Sequence, residues 1–270
     1  PAHDERPDHP GPRQGLPGSD LLVHAPTARD HPRAPLERLA WATKGFELES
    51  GLLPHQVAEE IVPASVATAV LSGPTFAREV AAGLPSAMTI ASAREQYAAE
   101  LANAISTDNL RAYTSTDIIG VEVGGATKNV YAIGAGISDG LGFGANTRVA
   151  LITRALAEMT RLGAALGARR ETFMGLAGLG DLVLTSTDDQ SRNRRFGLAL
   201  ARGTKVADAL SGIGQVVEGY VAARAVHQVA AHLGVEMPIV EKIYAVLYGD
   251  TAPRDAVAAL MRRPLAPELG

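Results

Sequence analysis

The chemically suggestive residues begin with a lysine set among small neighbours, Gly124-Gly125-Ala126-Thr127-Lys128-Asn129. The surrounding pattern predicts a helix, on which Val121, Gly124, Gly125, Lys128, Tyr131, Ala132 and Ala135 share one face. Glycines inside a helix cost stability, so this face should admit a close neighbour. A lysine pressed into such a face loses hydration, which lowers its pKa and suits it to proton transfer. The plainer alternative is a lysine whose stem crosses a helix contact and whose ammonium reaches water.

A second cluster is Gly178-Leu179-Gly180-Asp181, with Thr185 and then Ser191-Arg192-Asn193-Arg194-Arg195. Ser191 is a good N-cap for the helix expected after it. Arginines in a first turn oppose the helix dipole. A bound phosphate would resolve the conflict, since backbone N–H groups and arginine forks both suit it. Neutralisation by Asp188 and Asp189 would resolve it equally well. Two further places are turns after expected strands. Ser72-Gly73-Pro74-Thr75-Phe76-Ala77 leads into a helix, where open α/β sheets bind ligands, although ordinary turns look the same. Trp41-Ala42-Thr43-Lys44-Gly45 ends another strand, and Lys44 either faces the same crevice or is solvated.

Other features read as bland. Gly134-Ala135-Gly136 with Gly140, and Gly140-Leu141-Gly142 with Gly144, follow a helix rather than a strand and so fail the context of a dinucleotide fingerprint. Arg154, Glu158 and Arg161 have the spacing of a solvated helix face. The seven histidines lack metal-ligand spacing, and no metal is expected.

The elements that must position these residues fall in two groups. Short apolar runs at 21–25, 39–43, 68–71, 87–91 and 110–114 read as strands, and 54–62, 75–82 and 94–105 as helices between them. The alternation predicts part of a parallel α/β sheet. Beyond residue 115 the pattern turns helical, with helices over 118–137, 146–166, 191–201, 216–233, 239–248 and 253–262. The predicted division is a disordered or unrelated segment at 1–20, a partial dinucleotide-binding domain at 21–115 and a helical domain at 116–270.

Composition narrows the function classes. Of the 270 residues 46% are hydrophobic, enough for a packed core. A net charge of −4 argues against a dedicated nucleic-acid binder. The absence of cysteine excludes disulfides, thiolate metal sites and a cysteine nucleophile. No apolar run approaches the roughly 20 residues of a membrane span, and the first residues form no signal core. The expectation is a cytoplasmic protein with no membrane partner.

Six motifs in order give the chain a resemblance to the bacterial-type NAD(P)-dependent glycerol-3-phosphate dehydrogenases, from about Trp41 to Arg263. They are Trp41–Gly45, Leu71–Ala77, Gly124–Asn129, Gly178–Thr185, Ser191–Gly197 and Gln215–Gly219. The resemblance implies a Rossmann-like domain binding NAD or NADP and a helical domain completing the substrate site. It implies interconversion of sn-glycerol 3-phosphate and dihydroxyacetone phosphate for glycerophospholipid synthesis, by a homodimer. Carried over by motif, Lys128 is the catalytic proton-transfer residue. Lys44, Gly73, Thr75, Asp181, Ser191, Arg192 and Asn193 are implied to bind substrate. Lys44, Ala77, Arg192, Val216 and Glu218 are implied to contact the cofactor. The family opens with a strand, a Gly-x-Gly-x-x-Gly turn and a helix, and residues 1–20 offer no counterpart. The first half of the dinucleotide fold is therefore expected to be missing or replaced, and cofactor binding by this chain to be weak. Two alternatives stand beside this reading. One is an inactive remnant that dimerises or binds phosphate. The other is a related hydroxyacid or 6-phosphogluconate-type dehydrogenase.

Overall fold

The computed structural model describes residues 36–264, which lie within one compact unit. The strand expected at 21–25 and the segment 1–20, expected to lack a fingerprint, lie outside the described residues. Four strands form one sheet in the order β1 (Arg38–Trp41), β2 (Ala67–Ser72), β3 (Ser86–Ala91), β4 (Leu110–Ser115). Between them run α1 (Pro54–Ile61), α2 (Ala77–Ala81) and α3 (Glu95–Ile105). The expected α/β class holds, but the sheet is mixed rather than wholly parallel. β1–β2 and β3–β4 are parallel, whereas β2 and β3 run antiparallel with Leu71 opposite Ile90. The connection between them, residues 73–85, holds only the five-residue helix α2.

One sheet face is covered by α3, through Ala67, Ala69, Ile90, Tyr97, Ala98 and Ala102. The other meets α4 (Ile118–Gly140), where Val70 and Ala91 join Val121, with Trp41 and Ile118 at the margin. Asp117 caps α4 by accepting from the Gly120 N–H at 3.0 Å. Around α4 stand α5 (Ala145–Ala165), α6 (Asp181–Thr187), α7 (Arg192–Ala201), α8 (Val206–Ile213), α9 (Glu218–His232), α10 (Pro238–Tyr248) and α11 (Pro253–Met261). The sequence did not announce α6 or α8. Nor did it announce the 3₁₀ turn Arg170–Met174 and the π-helical turn Leu176–Gly180 that lead into α6. Among the described residues, no helix is long and apolar enough to cross a membrane.

Two expectations about faces need correction. Helix α4 does not bury a single stripe, because every residue from Gly120 to Ser138 is buried. It is the central helix of the fold, and its glycines are contact points on several sides. A Cβ on Gly136 would meet the Arg194 carbonyl, and one on Gly197 would meet the Ile133 carbonyl, so α4 and α7 touch backbone to backbone. Glu158 is not on a solvated face either, being only 3% exposed. Its carboxylate accepts from the N–H groups of Ile239 and Val240 at 2.7 and 3.3 Å and so caps the start of α10. Burial raises its pKa to about 7, against those bonds. A buried carboxylate is tolerated there because the first N–H groups of a helix have no partners inside it.

Candidate active site

Three chain segments deliver charged groups to one point. The loop after β1 brings Lys44, whose stem lies along α4 at Gly125, where a Cβ would stand 3.2 Å from the lysine Cγ. Helix α4 brings Lys128. The π-helical turn, with Gly178 packed against the Phe173 backbone, brings Asp181 to the first position of α6. Lys128 Nζ donates to Asp181 Oδ1 at 2.5 Å, and Lys44 Nζ to Oδ2 at 3.0 Å. Thr185, one turn further along α6, donates to Oδ1 at 3.2 Å. Asp181 is 1% exposed, so its three donors replace the water it has lost.

The charge count explains how Lys128 titrates. Burial and the neighbouring Lys44 cation lower its pKa, Asp181 opposes them, and the result is about 8. Two ammonium groups share one buried carboxylate, so the buried groups are net positive when both amines are protonated, with the exposed Glu218 opposing this. Such a site favours an anionic substrate and holds an amine that gains and loses a proton near neutral pH.

A second group lies next along α4. Asn129 donates to Glu218 at 2.8 Å, and the Gly219 N–H donates to Asn193 at 2.8 Å. A Cβ on Gly219 would stand 2.5 Å from the Asn129 carbonyl oxygen, so the start of α9 rests on α4 beside Lys128. Ser191 caps α7 by accepting from the Arg194 N–H at 3.2 Å. The three arginines of that turn separate. Arg194 points inward to Asp139 at 2.6 Å and pairs with Asp189, so acidic neutralisation accounts for this one. Arg195 is exposed. Arg192 is half-buried and makes no hydrogen bond or ion pair among the described residues, so it is available to an anion.

The remaining expected positions are more scattered. Gly73 is buried at φ +145 with the Met88 Cα 3.0 Å from where a Cβ would sit, so the turn needs glycine. Thr75 bonds only locally, to the Gly73 carbonyl at 3.3 Å. Pro74 approaches Gly180 beside Asp181, which ties this turn to the lysine pair. Ala77 is exposed at the start of α2, and Val216 is 70% exposed before α9. No contact joins either of them to the lysines. Sequence reasoning placed Thr185 and Asn129 in its candidate clusters but gave neither a role. The i,i+4 spacing of Thr185 from Asp181 and the adjacency of Asn129 to Lys128 were the available signals.

The positions expected to contact a cofactor lie on several separate elements. Val216 and Glu218 are exposed around the start of α9, and Arg192, without an ion pair among the described residues, stands at the start of α7. A glycine-rich phosphate turn after a strand does not occur among the described residues. A separate cavity of about 720 Å³ opens between α7 and α11, lined by Leu200, Lys205, Tyr220, Tyr248, Asp250 and Pro253. It shares no residue with the lysine–aspartate cluster.

Comparison with known proteins adds independent findings. Residues 117–258 match the family described as NAD-dependent glycerol-3-phosphate dehydrogenase C-terminus, and residues 26–98 match the corresponding N-terminus. A glycerol-3-phosphate dehydrogenase, NAD(P)+, of Aeromonas salmonicida is 58% identical over 230 residues, covering 85% of this chain and 69% of that protein. The one from Nitrosococcus oceani is 58% identical over 258 residues, covering 92% and 74%. Among solved structures, glycerol-3-phosphate dehydrogenase from Coxiella burnetii is 47% identical and superposes with a TM-score of 0.81, covering 84% of this chain and 69% of that one.

Proposed function

The chain belongs to the NAD-dependent glycerol-3-phosphate dehydrogenases, and from that premise we propose that Lys128 is the proton-transfer residue in the interconversion of sn-glycerol 3-phosphate and dihydroxyacetone phosphate. The protein is an oxidoreductase that uses NAD or NADP. The observation that carries the assignment is the buried Lys128–Asp181–Lys44 cluster with its amine near pKa 8.

When bound, the nicotinamide cofactor supplies or accepts the hydride. Val216, Glu218, Ala77, Lys44 and Arg192 would hold it. In the reducing direction protonated Lys128 donates a hydrogen bond to the substrate carbonyl oxygen and stabilises the charge that grows there. It then gives up its proton to that oxygen, which becomes the hydroxyl. In the oxidising direction neutral Lys128 takes the hydroxyl proton. Asp181 holds the amine in place in both forms, and Lys44 keeps its pKa low. Arg192, Ser191 and Asn193 at the start of α7 receive the phosphate, where a helix N-terminus and a guanidinium fork act together. Gly73 and Thr75 close the same site from the β2 turn.

The domain division at 115/116 belongs to this reading, with Ser115 ending the sheet and Ile118 opening α4. So do a homodimeric state, a cytoplasmic location and supply of glycerophospholipid synthesis. Sedimentation tests the first of these, cell fractionation the second and lipid labelling the third. The functional test follows oxidation of NADH and NADPH with dihydroxyacetone phosphate. Turnover on dihydroxyacetone phosphate is expected, with a raised KM for the cofactor in keeping with the weak cofactor binding expected from the sequence, and none on 6-phosphogluconate when NAD or NADP is the oxidant. Turnover on the second substrate alone would reject the assignment.

A further inference from the structure

A buried carboxylate outside the lysine cluster has no role in the mechanism above. Glu122 lies on α4, six residues before Lys128, and is 3% exposed. It accepts from the Trp41 indole Nε1 at 3.0 Å, the His55 N–H at 3.1 Å and the His55 imidazole Nδ1 at 2.5 Å. Trp41 is the last residue of β1, and His55 is the second residue of α1. The two donors are therefore the two feet of the loop 42–54 that carries Lys44. Inside that loop Glu47 gathers the Ser50 N–H and hydroxyl, both at 2.7 Å, and Gly51 bonds back to the Glu47 carbonyl at 2.9 Å. Phe46 and Leu53 are buried in the helical core. The loop is thus a small ordered body. Beside this apolar packing, one carboxylate on the catalytic helix holds both of its ends.

We propose that Glu122 is a positioning residue, which pins both feet of the Lys44 loop to α4 and so sets Lys44 against Asp181 beside Lys128. This rests on the functional reading above for its consequence, although not for its geometry. Lys44 stands three residues from the Trp41 foot, and its stem must lie along Gly125 for its ammonium to reach Asp181. α4 carries Glu122, Gly125 and Lys128 on successive turns, so the clamp and the catalytic amine share one rigid element. Losing one donor–carboxylate bond at a foot should free the loop more than the helix, because α4 is buried from Gly120 to Ser138. Glu122 touches neither Lys128 nor Asp181, so its influence passes through Lys44.

The test uses Glu122→Gln, which keeps the shape and one acceptor oxygen, and Trp41→Phe, which removes one donor and keeps an aromatic ring. Lysines are acetylated competitively with acetic anhydride and read by mass spectrometry, which needs no substrate. Lys44 labelling should rise by about threefold or more in both variants while exposed Lys205 stays constant. Unchanged Lys44 labelling, or an equal rise at Lys205, would overturn the clamp. Binding of sn-glycerol 3-phosphate by calorimetry then tests the route. Glu122→Gln should weaken it about tenfold in the wild-type background but less than about twofold in a Lys44→Ala background. Equal losses in both backgrounds would show that Glu122 does not act through Lys44. A wild-type protein that bound no glycerol phosphate would reject the functional reading, and the labelling would still decide the clamp.

Discussion

Replacing Asp181 by asparagine removes the negative charge between two buried ammonium groups at nearly constant volume. Lys128 already sits near pKa 8, because burial and Lys44 lower it and Asp181 resists them. A unit charge about 4 Å away at an effective dielectric of about 20 is worth about 4 kcal/mol, or about three pKa units. Lys44 is partly accessible and will swing outward in the variant, which relieves much of the repulsion. If only a third of the full effect survives, the Lys128 pKa falls to about 7. At pH 8 the protonated fraction then drops from about a half to about a tenth, and reduction of dihydroxyacetone phosphate slows about fivefold from protonation alone. Lowering the pH to 6 should restore that part of the loss. The assay is kcat/KM for dihydroxyacetone phosphate between pH 6 and 9, with circular dichroism confirming the fold. A folded Asp181→Asn enzyme whose profile still turned at about pH 8 would refute the electrostatic account of this site.

Other consequences follow from the same geometry. Arg192→Ala should raise KM for dihydroxyacetone phosphate by about tenfold or more, and Arg192→Lys should not rescue it, because a point charge does not replace the fork; initial-rate kinetics measure both. Glu158 has its pKa raised from 4.5 to about 7, so the folded state binds the extra proton between those values. Its contribution to stability is therefore fully present below about pH 4.5 and lost as pH rises through about 7. Urea unfolding should show wild type gaining on Glu158→Gln by about 1–3 kcal/mol between pH 8 and pH 5. Gly197→Ala should drive a Cβ into the Ile133 carbonyl and separate α7 from α4, costing about 2 kcal/mol or more in thermal or urea unfolding.

The sequence made strands and long helices legible where periodicity was strong. Ala67–Ser72, Glu95–Ile105 and Ile118–Gly140 lie within a few residues of their expected spans. The antiparallel β2–β3 pair was not legible, because alternating strand and helix patterns do not fix the direction in which a strand pairs. The pattern at 75–82 looked longer than the five residues that became helical. α6 is short and preceded by Gly175, Gly178 and Gly180, of which Gly178 packs against the Phe173 backbone while Gly124 of α4 meets Ala177 in the same turn. For the site, the glycines around Lys128 correctly signalled close packing and a desolvated amine. They could not signal that Asp181 and Lys44 would converge on it, since those contacts span 53 and 137 residues of sequence. Glu158 shows the limit of helical spacing read alone. Its neighbours Arg154 and Arg161 suggested solvent, yet the partner that decided its burial was the start of α10, some eighty residues away.

The most direct test of the account is turnover of dihydroxyacetone phosphate by Lys128→Ala, with the fold verified by circular dichroism and thermal unfolding. The residue lies in the buried cluster with Asp181 and Lys44, and the Lys44 amine is held on the other oxygen of the same carboxylate. Loss of the proton donor should lower kcat by about two orders of magnitude or more while KM changes little. A folded Lys128→Ala enzyme with near-normal kcat would contradict the central claim.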